Sequence, residues 1–215
     1  MGRPNVLHDG LLYYRKHSRY LLIVAAAYYG LILLAAAMAM VVGNADMQLA
    51  QFQAARAWVS LGFPGLIEAY LTDPLLAVAY TFLVNFFYGS VAMITLPGTL
   101  LFVLAPTQAF LRACWWGALF APTAPILASA LVWSLPTMIL EGLGYILAVV
   151  PSTYLGLSWL SPKTAFREEG LARKEAFKRE LVDSAKAYVW VALVLLIAAV
   201  VEVTTAQLRL HMALT

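Results

Sequence analysis

Four stretches of this chain, residues 20–45, 74–111, 113–140 and 142–162, contain no Asp, Glu, Lys or Arg. A helix crosses a bilayer core with about 20 apolar residues, so these runs have the lengths of a polytopic membrane protein. A soluble core of this size has no need of 38 consecutive uncharged residues, the length of run 74–111. Composition agrees: 63% of residues are hydrophobic and 12% charged, against about 25% charged in a typical soluble domain. The expected fold is all-α, a polytopic transmembrane helical bundle, with residues 1–215 forming a single integral membrane domain.

Chemistry-bearing residues are few. The one cysteine, Cys114, excludes an intramolecular disulfide framework or a thiol-rich metal site. Beside Trp115 in an apolar run it reads as a small packed hydrophobe. His8, His17 and His211 share no helix face with a carboxylate at ligand spacing, so no metal and no cofactor are expected. The chain lacks a Gly-rich phosphate loop, a GxSxG elbow and a zinc motif, and is not expected to be an enzyme. A net charge of +3 is modest. It follows the sidedness of the basic residues rather than a nucleic-acid-binding surface, and no nucleic-acid partner is expected.

The first span reads as Tyr20–Val42, because its 26-residue uncharged run exceeds a signal-peptide core. Residues 43–73 hold one basic residue, Arg56, and three acids, with a Pro64-Gly65 break. They read as an external interfacial helix. Residues 74–111 read as a hairpin turning at Pro97-Gly98, which gives spans Leu75–Leu96 and Thr99–Leu119. A fourth span, Ile126–Val149, is expected to bend at Pro136. Gly142–Leu160, punctuated by Gly142, Gly144, Pro151 and Gly156, reads as a broken or re-entrant element. The last span is Ala187–Leu208.

Sidedness follows from charge. Residues 163–186 carry seven Lys/Arg and the first 19 residues carry four. The positive-inside rule makes both cytoplasmic, so an even number of crossings separates them. The reading is about five full spans plus one broken segment, with the N-terminus cytoplasmic. Segment 162–186 is expected to be one amphipathic helix. Ser161-Pro162 supplies an N-cap and N1 pair, and Glu169–Arg173 and Glu175–Arg179 are i,i+4 pairs. Its stripe of Phe166, Phe177 and Leu181 fits a helix lying on anionic lipid, a solvated linker, or a docking surface for a cytoplasmic partner.

Two lone carboxylates, Glu141 and Glu202, lie inside these apolar stretches. An unpaired charge there costs roughly 2–4 kcal/mol, which makes each a functional-site candidate. Counting helix rise from the run ends places Glu141 in the inner half of the membrane and Glu202 in the outer half. A direct pair sharing one proton is therefore not expected. Arg112, the basic residue within a span, sits in the outer half and is expected to pair with Glu202, and second with Glu141. The alternative for Glu202 is to snorkel to the outer interface. For Glu141 it is hydrogen bonding to hydroxyls or free N–H groups around residues 142–156. Asn85 is a further intramembrane polar group, for which an interhelical hydrogen bond is the plain reading.

These residues also carry a resemblance. Phe82-Leu83-Val84-Asn85-Phe86-Phe87 looks like the F-x-x-N-N segment of the stage II sporulation protein M family. Pro136-Thr137-Met138-Ile139-Leu140-Glu141 is similar to its P-H-G-x-x-E motif, with Thr137 and Met138 in place of His-Gly. Ala198-Ala199-Val200-Val201-Glu202-Val203-Thr204-Thr205 resembles its closing A-x-x-x-E-x-x-x-T span. All three occur in the family's order, and the likeness runs from about residue 75 onward. The resemblance implies a divergent member: an integral protein of the bacterial cytoplasmic (inner) membrane without catalytic activity of its own. It also implies complex partners, among them an ABC-type ATPase.

Two functions follow. One is a non-enzymatic membrane subunit that scaffolds or couples a multi-protein complex, in envelope remodelling or beside a transporter. The other is a transporter or permease subunit with a polar path through Glu141, Glu202 and Arg112. Partners are the lipid bilayer and other membrane or cytoplasmic subunits, with a second copy of the chain as a further candidate.

Overall fold

A computed structural model describes residues 5–166 and 171–214, and every regular element in it is helical. Helix α1 spans Val6–Lys16, capped by the Asn5 side chain on the His8 N–H. Helix α2, Ser18–Val42, is a 25-residue rod about 37 Å long. It ends where Gly43, at φ 56°, donates its N–H to Ala39 O, the left-handed stop that glycine takes without strain. Only Val24 and Tyr28 of α2 are buried within the protein. One face, with Leu21, Ala25, Tyr29 and Ile32, packs half-buried on the core, while Leu22, Ile23, Leu33, Leu34 and Val41 face outward, as lipid permits and water does not.

The expected external helix over 43–73 is two helices, α3 (Ala45–Gly62) and α4 (Pro64–Thr72). Pro64 has no N–H to continue α3 and instead opens α4 at its first position. Asn44 caps α3 through the Met47 N–H.

Residues Pro74–Leu100 form one continuous 27-residue rod. It consists of α5 (Pro74–Leu83), a π-helical segment (Val84–Thr95) and α6 (Leu96–Leu100). Asp73 caps it, accepting the Leu75 and Leu76 N–H groups at 3.0 and 3.1 Å. The turn expected at Pro97-Gly98 falls instead at Leu101–Val103, after α6. Pro97 lies inside the continuous rod, where it gives no N–H to the backbone ladder, yet the helix runs on to Leu100. Gly98 is a packing contact rather than a bend: a Cβ there would lie 2.6 Å from the Ala105 Cβ.

Helix α7, Leu104–Leu119, has 16 residues and packs along α2. A Cβ on Gly117 would meet Ile32 O at 2.2 Å, so the two backbones touch. The far end of α7 is clamped by α3, where Gln48 Nε2 donates to Ala118 O and Ala121 O at 2.6 and 2.9 Å.

Helix α8 runs unbroken from Pro125 to Leu160, 36 residues and about 54 Å. The broken or re-entrant element expected over Gly142–Leu160 is therefore absent; it is the second half of α8. Its glycines are contact points: Cβ atoms at Gly144 and Gly156 would meet Leu195 Cδ2 at 2.4 Å and Gly98 O at 2.1 Å. Pro136 and Pro151 both lie inside the helix. The carbonyl that Pro151 leaves without its N–H partner belongs to Leu147, and the Tyr14 hydroxyl lies 3.2 Å from it.

Helix α9 is Pro162–Phe166, and α10 runs Arg173–Leu214, 42 residues and about 63 Å. The helix expected over 162–186 is thus α9 plus the start of α10, with residues 171–172 non-helical. Arg167, Glu169 and the Phe166 side chain lie outside the described residues. Because α10 is about twice the length of a bilayer core, its charged part, Arg173–Lys186, projects beyond the span that begins at Ala187. Among the described residues, four rods are long and apolar enough to cross a membrane: Ser18–Val42, Pro74–Leu100, Pro125–Leu160 and Arg173–Arg209.

The central contact is α10 lying antiparallel on α8. Trp159 meets Phe177, Ser152 meets Tyr188, and Gly144 meets Leu195. Helix α1 folds back onto the projecting part of α10, with Asp9 and Lys186 ion-paired at 3.1 Å and Trp190 Nε1 donating to Leu7 O. The two basic segments of the sequence therefore share one end of the bundle.

Candidate functional site

The α8–α10 register decides the site. Each step back along α8 from Trp159 advances α10 from Phe177, and the sequence of contacts ends with Glu141 facing Glu202. Their carboxyls lie within hydrogen-bond reach of one another. This overturns the expected placement in opposite leaflets. The helix-rise count took the ends of uncharged runs as membrane faces, whereas α8 and α10 both overrun a ~30 Å core.

A hydrogen-bonded chain leads away from this pair on both sides. Asn85 Nδ2, in the π-helical segment, donates to Glu141 Oε1 at 2.5 Å. The Tyr145 hydroxyl donates to Asn85 Oδ1 at 2.7 Å, and Arg112 Nη2 donates to that hydroxyl at 2.8 Å. On the other side Tyr70 of α4 donates to Glu202 Oε1 at 2.8 Å. With that hydrogen committed, Thr81 Oγ1, 2.9 Å away, is the donor to Tyr70. Gln207 Nε2 holds the Tyr70 carbonyl at 2.6 Å. The chain runs from Arg112 to Thr81 and joins α7, α8, the π-helical segment, α10, α4 and α5.

Burial makes this chain expensive to break. Tyr145 is fully buried, and Glu141 and Asn85 are 3% and 8% exposed. A buried donor or acceptor left unpaired costs about 1–3 kcal/mol, more if charged. Two glycines make room for the aromatic members. A Cβ on Gly89 would meet Tyr145 Cε1 at 2.9 Å, and one on Gly142 would meet Tyr28 Cε1 at 2.9 Å.

The expected Arg112–Glu202 ion pair is replaced by an indirect arrangement. Arg112 bonds Tyr145, stacks over its ring at 4.2 Å and over Trp116 at 5.1 Å, and acts electrostatically on both glutamates. Glu202 does not snorkel. Asn85 makes the interhelical bond expected of it, and its partner is Glu141. Three buried polar atoms lack a partner among the described residues: Tyr28 Oη, Arg112 Nε and Thr137 Oγ1. Tyr28 interacts electrostatically with Arg112 and Glu141, and Thr137 lies one turn before Glu141.

The expected docking residues fare unevenly. Phe177 is half-buried against Trp159, at a ring separation of 6.3 Å. Leu181 and its neighbour Val182 are 48% and 53% exposed.

A second polar group sits where α1 meets the projecting part of α10. Tyr13 donates to Glu180 Oε1 at 2.6 Å, and the Ser184 hydroxyl is 3.4 Å from the same oxygen. Burial pushes the Glu180 carboxyl up to about 7, against the opposing Tyr13 hydrogen bond. His17, stacked on Tyr154 at 3.8 Å, is lowered to about 4 by burial and then by the charge of Lys16.

Sequence reasoning missed Tyr145, Tyr70, Tyr28, Gln48 and Glu180. Tyr145 was findable, standing four residues after Glu141 on the same helix face. Glu180 carries a similar signal: Ala176, Glu180, Ser184 and Ala187 form a small-residue stripe suited to close packing.

No family model, curated protein or solved structure matches this chain.

Proposed function

We propose that the chain is a non-enzymatic subunit of a bacterial cytoplasmic membrane complex, holding other subunits in register rather than carrying out chemistry. In this reading α7 is a fifth crossing, the N-terminus is cytoplasmic, and α1 with the Arg173–Lys186 part of α10 forms a cytoplasmic collar. The observation that carries it is the closed polar chain. Arg112, Tyr145, Asn85, Glu141, Glu202 and Tyr70 bind one another and tie five helical segments into one body. A rigid body suits a platform. The motifs at Asn85, Glu141 and Glu202, which resemble the stage II sporulation protein M family, support the same reading and make an ABC-type ATPase a candidate partner.

A permease subunit is the second reading. It is favoured by the partnerless Tyr28 Oη, Arg112 Nε and Thr137 Oγ1, which give water or a polar solute groups to bind along the chain. Replacing Glu141 by Gln separates the two. The scaffold reading expects assembly of the complex to be lost. The permease reading expects assembly with flux abolished.

A further inference from the structure

Two carboxyls and one guanidinium cluster inside the bundle, Glu141 buried and Glu202 and Arg112 half-buried. If both carboxyls were ionised, the group would carry one uncompensated negative charge. With one proton between them it is neutral. Like charges at hydrogen-bond distance do not both ionise, and an unbalanced buried charge costs several kcal/mol. The groups facing the pair come from every element packed around it. They are Arg112 from α7, Tyr145 from α8, Tyr28 from α2 and Tyr70 from α4. Of these only Arg112 is a cation.

From this geometry we propose that Glu141 and Glu202 form an intramembrane proton-binding site that holds one proton between the two carboxyls. Its single positive counterpart is Arg112, relayed through Tyr145 and Asn85. The inference does not depend on the scaffold reading, since a platform and a permease are both compatible with a bound proton.

Two observations favour a proton over an alkali cation. The two carboxyls act on each other as hydrogen-bond partners, an arrangement that needs a proton between them. Oxygens that a metal would use already accept hydrogens, Glu141 Oε1 from Asn85 and Glu202 Oε1 from Tyr70. Tyr28 is fully buried, its Oη has no hydrogen-bond partner among the described residues, and it interacts electrostatically with Arg112 and Glu141.

The test is infrared spectroscopy of the full chain in lipid bilayers, following the carbonyl stretch of protonated carboxylic acid. Spectra taken at about pH 9 keep Glu180, with its value of about 7, out of the signal. One carboxylic-acid equivalent is expected in the unmodified chain, and Glu141→Gln and Glu202→Gln should each remove all of it. Two outcomes overturn the proposal in the variants: no band to remove, or a band that each variant only halves. A band abolished by sodium would overturn it in favour of a cation site. If a variant fails to fold, the amplitude of the unmodified chain against a carboxylic-acid standard still decides between none, one and two protons.

Discussion

Tyr145 holds Arg112 from two directions: its hydroxyl accepts from Arg112 Nη2 at 2.8 Å, and its ring lies 4.2 Å beneath the guanidinium. The same hydroxyl donates to Asn85. Tyr145→Phe keeps the ring and removes the relay, leaving Asn85 Oδ1 and an arginine N–H without partners. The expected loss is about 1–3 kcal/mol, read as a lower thermal midpoint in detergent or nanodisc. Unchanged stability would mean the hydroxyl is not a link in the chain.

Glycine contacts make a second test. Gly156→Ala places a Cβ 2.1 Å from Gly98 O, a backbone atom that cannot swing aside. It should cost at least the roughly 1–3 kcal/mol of an overpacked core. Gly30→Ala meets nothing within 4 Å and should be tolerated. Thermal unfolding of the two variants side by side checks the pair, and equal effects would contradict the α6–α8 contact.

Gln48 is the third. Gln48→Ala removes the donors that α3 gives to the end of α7 at Ala118 O and Ala121 O. Hydrogen exchange should rise across α3 and at the end of α7, while α8 and α10 stay protected.

Opposite titrations predict a pH profile. His17, lowered to about 4, contributes stability that is present above its unfolded value of about 6.5 and lost as pH falls through 4. Glu180, raised to about 7, contributes stability that is present below about 4.5 and lost as pH rises through 7. Glu180→Gln should leave the histidine slope, with stability rising from about pH 4 to 6.5. His17→Phe should leave the opposite slope between about pH 4.5 and 7. Thermal midpoints across that range read both, and variants that keep the parent profile would contradict the assignment.

Much of the fold was legible because charge is so sparse. The uncharged run after Arg19 read as a spanning helix, and α2 is long and apolar enough to be one. Ser161-Pro162 marked a helix start that the structure keeps. Other features depended on partners elsewhere in the chain. Gly142, Gly144, Pro151 and Gly156 look like breaks in one dimension. In three they are where α8 meets Tyr28, Leu195, Tyr14 and α6, and the helix runs through. The meeting of Glu141 and Glu202 was hidden for the same reason: depth counted along one helix says nothing of how far the next overruns the bilayer. No pattern in Val84–Thr95 announced a π-helix, and the sequence offers no physical account of it beyond hydroxyls at Ser90 and Thr95 that reach carbonyls five residues back.

The central claim is that this bundle holds other subunits, and gentle purification of the full chain from its native membrane tests it most directly. The account predicts that further polypeptides co-purify in fixed ratio. It also predicts that Leu181→Ser with Val182→Ser, both on the exposed face of α10, releases a cytoplasmic one without lowering the thermal midpoint. A chain that purifies alone, or only with copies of itself, and is unaffected by those substitutions would contradict it.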